Sequence, residues 1–293
     1  MKLGMYPERE EFGRLAGRGN LIPVCMDILA DTETPLSALA KVYRGEGPVF
    51  LLESVEGGER WGRYSFLGAS ARASVRVYRD VVEIEEEGST VRIEHRGDPL
   101  AVLRSLMARY KPVSLPGLPR FWGGMVGYLT YESVSFFENI PNTCSADEVL
   151  AQFVVPDQLF IFDNLRHTLT LVAYAFLDGA DPERAYDSAL EALEGMVATL
   201  ERPLPTPAPL SGGPFGIKPV VSSDAFRSQV SRIKEYINEG DVIQTVISQP
   251  FVCQAPPDPW LLYRAQRYIN PSPYLYFLHL GDTVLVGSSP ETM

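Results

Sequence analysis

Short stretches rich in Val, Ile, Phe and Tyr, each bounded by Gly, Asp or Asn, recur along this chain, and only a few segments of helical period separate them. That pattern suits antiparallel strands, because parallel neighbours would need a crossover of a dozen or more residues between each pair. Residues 63–68, 73–79, 81–86 and 90–94 read as a meander. Residues 153–162 and 168–174 flank a turn at Asp163-Asn164 and read as a further antiparallel pair. Runs of strands broken by occasional helices predict an α+β fold. Neither G-x-G-x-x-G nor G-x-x-x-x-G-K-[ST] occurs, so no dinucleotide or P-loop phosphate cradle is expected.

Four helix starts pair a capping side chain with proline, whose missing N–H costs nothing in a first turn: Thr34-Pro35, Asp98-Pro99, Asp181-Pro182 and Asp258-Pro259. After Asp181 the residues Tyr186, Leu190, Leu193, Val197 and Leu200 form one apolar face. A second helix is predicted over 223–238, with Phe226, Val230, Ile233 and Ile237 buried and Gly240 near its end. Hydrophobic periodicity disappears over RPLPTPAPLSGGP, residues 202–214, which reads as a linker. It separates a domain over 1–201 from residues 215–293, which read as helix, strand 242–251, helix, then strands 274–280 and 283–287. That sheet is unfinished, so a truncated second domain is expected.

With 45% hydrophobic and 22% charged residues, the chain is a folded protein rather than a disordered one. Its 26 basic and 37 acidic residues give a net charge of −11, which disfavours nucleic acid and anionic membrane as partners. No apolar run approaches the roughly 18 residues of a membrane span, and the N-terminus carries charges early, so a cytoplasmic location is expected. Cys25, Cys144 and Cys253 are far apart and read as buried apolar thiols. His95, His167 and His279 fit no metal-ligand spacing. Gly123, Gly124 and Gly127 are expected to permit close backbone approach, Trp61 and Trp122 to be core aromatics, and Glu85, Glu86 and Glu87 to form a solvated hairpin tip.

Several motifs occur in a fixed order: LLES at residues 51–54, GGERWGRYSFLG at 57–68, FWGGMVGYLTYE at 121–132, GDVIQTVISQPF at 240–251, NPSPYLYFL at 270–278 and GSSPE at 287–291. Together they resemble anthranilate synthase component I, a chorismate-utilising enzyme, over its N-terminal domain and the beginning of its chorismate-binding domain. The resemblance implies paired antiparallel sheets forming a sandwich flanked by helices. It implies a lyase of tryptophan biosynthesis that makes anthranilate and pyruvate from chorismate and ammonia. It also implies Mg²⁺ as cofactor and a glutamine amidotransferase subunit, anthranilate synthase component II, as the ammonia source. The family's Mg²⁺ ligands and most of its catalytic residues belong to motifs beyond residue 293, so no metal ligand is expected here and this chain alone is expected to be catalytically incomplete.

Two sets of residues carry over. Gln244 stands where water-adding relatives have a lysine, and an amide there suits ammonia, which needs no base before it attacks. Ser54, Pro273, Tyr274 and Leu275, with Glu53 and Asn270 alongside, match the family's pocket for feedback inhibition by L-tryptophan, with Leu275 replacing the usual methionine. Taken as residues alone, these stretches read only as a strand end and a proline-rigidified loop. The alternatives are aminodeoxychorismate synthase component I of folate biosynthesis, whose distinguishing segment would lie beyond residue 293, and a non-catalytic tryptophan-binding regulatory fragment.

Overall fold

The computed structural model describes residues 2–54, 62–177, 179–206 and 216–291. The strands are β1 (Lys2–Tyr6), β2 (Leu21–Leu29), β3 (Val49–Glu53), β4 (Tyr64–Gly68), β5 (Ala71–Val77), β6 (Val81–Glu86), β7 (Ser89–Glu94) and β8 (Val126–Leu129). They continue with β9 (Ala151–Pro156), β10 (Gln158–Asp163), β11 (Thr168–Phe176), β12 (Ile217–Pro219), β13 (Phe251–Cys253), β14 (Tyr274–His279) and β15 (Val284–Ser289). The helices are α1 (Arg9–Leu15), α2 (Pro35–Val42), α3 (Pro99–Ala108), α4 (Pro182–Leu200), α5 (Ser223–Glu239) and α6 (Pro259–Ile269). The chain divides into two compact units, Met1–Thr206 with Tyr263–Met293, and Pro207–Leu262.

The first unit holds an eight-stranded sheet in the order β1-β2-β11-β10-β4-β3-β14-β15 and a five-stranded sheet in the order β7-β6-β5-β9-β8, both antiparallel. Ala73 and Val155 of the smaller sheet pack with Tyr110 against Leu21 and Phe176, which end strands of the larger one. On that same face of the smaller sheet lies α3, whose Leu103 and Leu106 pack on Val75, Val77, Val82 and Ala151. This is the α+β sandwich that the sequence implied.

All four proline-marked helices are capped as expected: Thr34 accepts from the Ser37 N–H at 3.0 Å, Asp98 from Ala101 at 3.0 Å, Asp181 from Glu183 at 3.3 Å and Asp258 from Leu261 at 3.1 Å. On α4 the buried face is Tyr186, Ala189, Leu193, Met196 and Leu200. Leu190 and Val197 are half-buried, because the small Ala189 and flexible Met196 occupy the centre of the stripe against the sheet.

The single strand expected over 153–162 is two strands in different sheets. Pro156, which has no N–H for a ladder, ends β9, and the chain crosses over at Asp157. The other crossing, from β4 to β5, passes through Ser70, whose hydroxyl donates to the Asp157 carboxylate and ties the two crossings together. The expected β10–β11 pair forms, with Asp163 opposite Thr168 and its carboxylate accepting the Leu165 and Arg166 N–H groups at 3.1 Å each. Glu86 is not a free tip residue, since it accepts from Arg109 at 2.5 Å and from Tyr110 at 3.2 Å. Cys25 is buried, whereas Cys144 and Cys253 are only half-buried. Trp61, the segment 57–61 and the linker residues 207–214 lie outside the described residues.

The expected grouping of 215–293 as one domain differs from the contacts in the structure. Strands β14 and β15 extend the eight-stranded sheet through the β3–β14 pairing, so they belong to the first unit. In the second unit, β12 pairs with β13, and α5 is capped by Ser222 and closed by Gly240 at φ +87°. The strand expected over 242–251 appears only from Phe251 onward, and residues 242–250 have no regular structure. Phe226, Val230 and Ile233 are half-buried and Ile237 is exposed. A two-stranded ribbon offers too little surface to bury that face or to template another strand.

Two depressed carboxylates make an acid-stability prediction. A hydrogen bond from Arg92 holds Glu83 below the usual carboxylate range against the opposing effect of burial, and Arg76 adds to it. Burial pushes Asp163 up, but Arg63 and the Arg166 and Leu165 N–H groups outweigh it and the net shift is downward. For a lowered folded pKa, the stabilisation is complete above the unfolded value and lost as pH falls through the folded one. The melting-temperature gap between the parent and a Glu83→Gln/Asp163→Asn double variant is therefore expected to be widest near neutrality and to close below about pH 4. A gap that widened on acidification would contradict this assignment.

Candidate functional site

Glu53, Ser54, Pro273, Tyr274 and Leu275 lie where β3 ends and β14 begins. The antiparallel register sets Leu275 opposite Glu53, Tyr276 opposite Leu52 and Phe277 opposite Leu51. Leu275 is 1% exposed and Glu53 7% exposed, so the pairing puts a carboxylate inside an apolar setting. Ser54 follows Glu53 directly and is half-buried.

The loop leading into β14 is pinned to β15. The Ser272 hydroxyl donates to the Ser289 carbonyl and accepts the Tyr274 N–H at 3.2 Å, and Ser288 donates to the Asn270 carbonyl at 2.7 Å. Asn270 is exposed, and Pro273 and Tyr274 are half-buried. Gly287 leaves room for the Tyr276 ring, since a Cβ there would lie 2.1 Å from Tyr276 Cζ.

Two residues that the sequence reading missed complete the site. Tyr263, on α6, is fully buried and its hydroxyl donates to Glu53 Oε2 at 2.5 Å across 210 positions of sequence. One turn later Arg267 brings Nε to 3.3 Å from the same oxygen. Burial, reinforced by the Glu53 charge, pushes the Tyr263 phenol far above its ordinary value, which keeps it a donor. A tyrosine and an arginine four apart on the helix running into Asn270 were visible in the sequence, but that spacing is equally common on an ordinary amphipathic helix.

Gln244 belongs to the second unit, where it is exposed in a segment without regular structure. The sequence places it on a strand, whereas among the described residues no strand pairs with residues 242–249. In the first unit, a cavity of about 270 Å³ between the sheets is lined by Tyr110, Trp122, Tyr174 and Phe176 among others. Its hydroxyls are already engaged, Tyr174 donating to the Trp122 carbonyl and Tyr110 to Glu86, so it offers apolar space rather than recognition. Among the described residues no three or more His, Cys, Asp or Glu side chains gather as a metal site, and no helix is long and apolar enough to cross a membrane.

A buried carboxylate beside a loop pinned by backbone and hydroxyl groups, with an aliphatic and aromatic surround, suits a small amphiphilic ligand carrying a positive charge. The family model described as chorismate binding enzyme matches residues 48–293, and the chain belongs to that family. Among curated proteins it is similar to anthranilate synthase component 1 of Pseudomonas putida, at 40% identity over 97% of this chain and 59% of the relative. It is likewise similar to the component 1 of Acetivibrio thermocellus, at 35% identity over 98% of this chain and 60% of the relative. The chain thus spans about 60% of the length of these relatives. The crystal structure of anthranilate synthase component I from Streptococcus pneumoniae superposes with a TM-score of 0.60 and 26% identity over 90% of this chain and 57% of that one. The menaquinone-specific isochorismate synthase of Escherichia coli shares the fold, with a TM-score of 0.50 at 13% identity over 97% of this chain and 54% of that one.

Proposed function

We propose that this chain supplies the amino-acid-sensing part of an anthranilate synthase component I, with L-tryptophan as the feedback ligand at the β3–β14 junction. The observation that supports the reading is the Glu53–Leu275 register, which brings two motifs of the resemblance together beside one buried carboxylate. In this reading Glu53 accepts the ligand's α-ammonium, the Ser54 hydroxyl donates to its carboxylate, and Pro273, Tyr274 and Leu275 cover the indole. The opposite ends of a zwitterion are then each met by a complementary group.

For the whole protein, the proposed reaction adds ammonia at C2 of chorismate as the C4 hydroxyl leaves as water, then eliminates the enolpyruvyl group as pyruvate to leave anthranilate. Ammonia would come from an amidotransferase partner, and Gln244 would stand on the ammonia side without acting as a base. Mg²⁺ would offset the substrate's negative charge in such a reaction. The described residues gather no ligand set for it, so no step is assigned to the metal through them.

Thermal unfolding with and without excess L-tryptophan tests the pocket, with D-tryptophan and L-phenylalanine as controls. At a hundred times its dissociation constant, a ligand selective for the folded state adds about 2.7 kcal/mol. The expected result is a rise in midpoint of roughly 5–10 °C for L-tryptophan alone. A cooperative melt that L-tryptophan leaves unmoved would remove this reading and favour the folate-pathway alternative. Anthranilate fluorescence from chorismate and ammonia, with the full-length protein, tests the reaction separately.

A further inference from the structure

We infer that Tyr263 and Arg267 are positioning residues that hold Glu53 as a one-sided acceptor for the ammonium of the amino-acid ligand. The inference rests on the amino-acid reading of the β3–β14 pocket.

The geometry is asymmetric. Both side chains approach the same oxygen, Oε2, at 2.5 Å from the Tyr263 hydroxyl and 3.3 Å from Arg267 Nε. Among the described residues, none donates a hydrogen bond to Oε1. A carboxylate so buried must find partners or lose its charge, because an isolated ion in an apolar setting is expensive. Here the partners are concentrated on one oxygen, so they hold the group aimed while leaving the second oxygen for a donor brought by the ligand.

The Tyr263 ring is itself locked. It meets Phe277 edge-on, with centroids 6.0 Å apart and planes at 73°, and Phe277 in turn meets Tyr43 at 5.0 Å and 74°. Its hydroxyl cannot follow Glu53 if the carboxylate swings, so the hydrogen bond fixes the carboxylate's rotamer rather than adapting to it. Arg267 sits at the rim, 37% exposed, with its Nε buried and paired by charge rather than by a hydrogen bond to the same oxygen.

The experiment separates positioning from general packing by comparing two ligands on the full-length protein: L-tryptophan, and indole-3-propionate, which keeps the indole and carboxylate but lacks the ammonium. Tyr263→Phe, which deletes only the hydroxyl, is expected to weaken L-tryptophan about tenfold, equivalent to ~1.4 kcal/mol, and to leave indole-3-propionate within about twofold of the parent. Arg267→Gln is expected to act in the same direction with a smaller effect. Should Tyr263→Phe fail to show a cooperative melt, the rim variant Arg267→Gln supplies the same comparison in a folded protein. Equal weakening of both ligands, or undiminished L-tryptophan affinity in both variants, overturns the positioning role while leaving the pocket intact. Failure of the parent itself to bind L-tryptophan overturns the amino-acid reading and this inference with it.

Discussion

Replacing Phe277 by alanine is expected to lower the unfolding free energy by about 3–5 kcal/mol, the range for emptying a buried phenylalanine site. The ring is fully buried on β14, the strand that connects β3 to β15 in the eight-stranded sheet. Its loss removes apolar contact and leaves a cavity walled by Tyr43 and Tyr263, neither of which can collapse freely. The Tyr43 hydroxyl is within 3.1 Å of His279 Nδ1, and Tyr263 is held by Glu53. A fall in melting midpoint of roughly 8–15 °C follows from the lost free energy. The same variant should blunt the L-tryptophan response, because Tyr263 loses the ring that fixes its orientation. Urea unfolding followed by far-UV circular dichroism, with and without L-tryptophan, measures both. A loss below about 1 kcal/mol would mean that the site relaxes and that β14 does not depend on this ring.

Several features of the fold were legible because they are local. A capping Thr or Asp before proline marked four helix starts, and Asp163-Asn164 marked the β10–β11 turn, since the backbone N–H groups that these side chains satisfy lie within three residues of them. The sheet switch at Asp157 was marked only by the short Pro156-Asp157-Gln158 break between two buried apolar runs, which does not by itself say that the second run joins another sheet. The helical period correctly marked α5, but it could not say whether another surface covers that face.

The site was legible in a different way. No periodicity links Glu53 to Leu275, whose pairing depends on the order of strands in a finished sheet. Only the resemblance to a known family brought those two segments together before the structure did. Tyr263 and Arg267 lay outside the motifs that carried it, and their role emerges only when the distance from each to one oxygen of Glu53 is known. Pattern alone gives the face of a helix, not the atom a side chain reaches.

Alanine substitutions at Gly127 and Gly195 are expected to change stability in opposite directions. Both exchange a glycine for a residue that loses less backbone entropy on folding, which by itself favours the variant by about 0.4–1 kcal/mol. At Gly195, inside α4, a Cβ would meet nothing within 4 Å, so the full gain should appear, raising the midpoint by roughly 1–4 °C. At Gly127, on β8, the same Cβ would lie 2.0 Å from the Gln152 carbonyl oxygen and 2.7 Å from Phe153 Cα, which are backbone atoms that cannot rotate away. The β8–β9 pair would have to separate, a cost of about 1–3 kcal/mol or more that exceeds the entropic gain. The strain would fall on Gln152, whose side-chain amide donates to the Leu280 carbonyl immediately after β14 and so ties the smaller sheet to the larger one. Gly127→Ala is therefore expected to lower the midpoint by several degrees and to weaken L-tryptophan binding although residue 127 touches no part of the pocket. Thermal melts of the two variants beside the parent decide the matter: equal stabilisation by both would show that β8 and β9 separate without cost, and that the glycine is there for some reason other than close backbone approach.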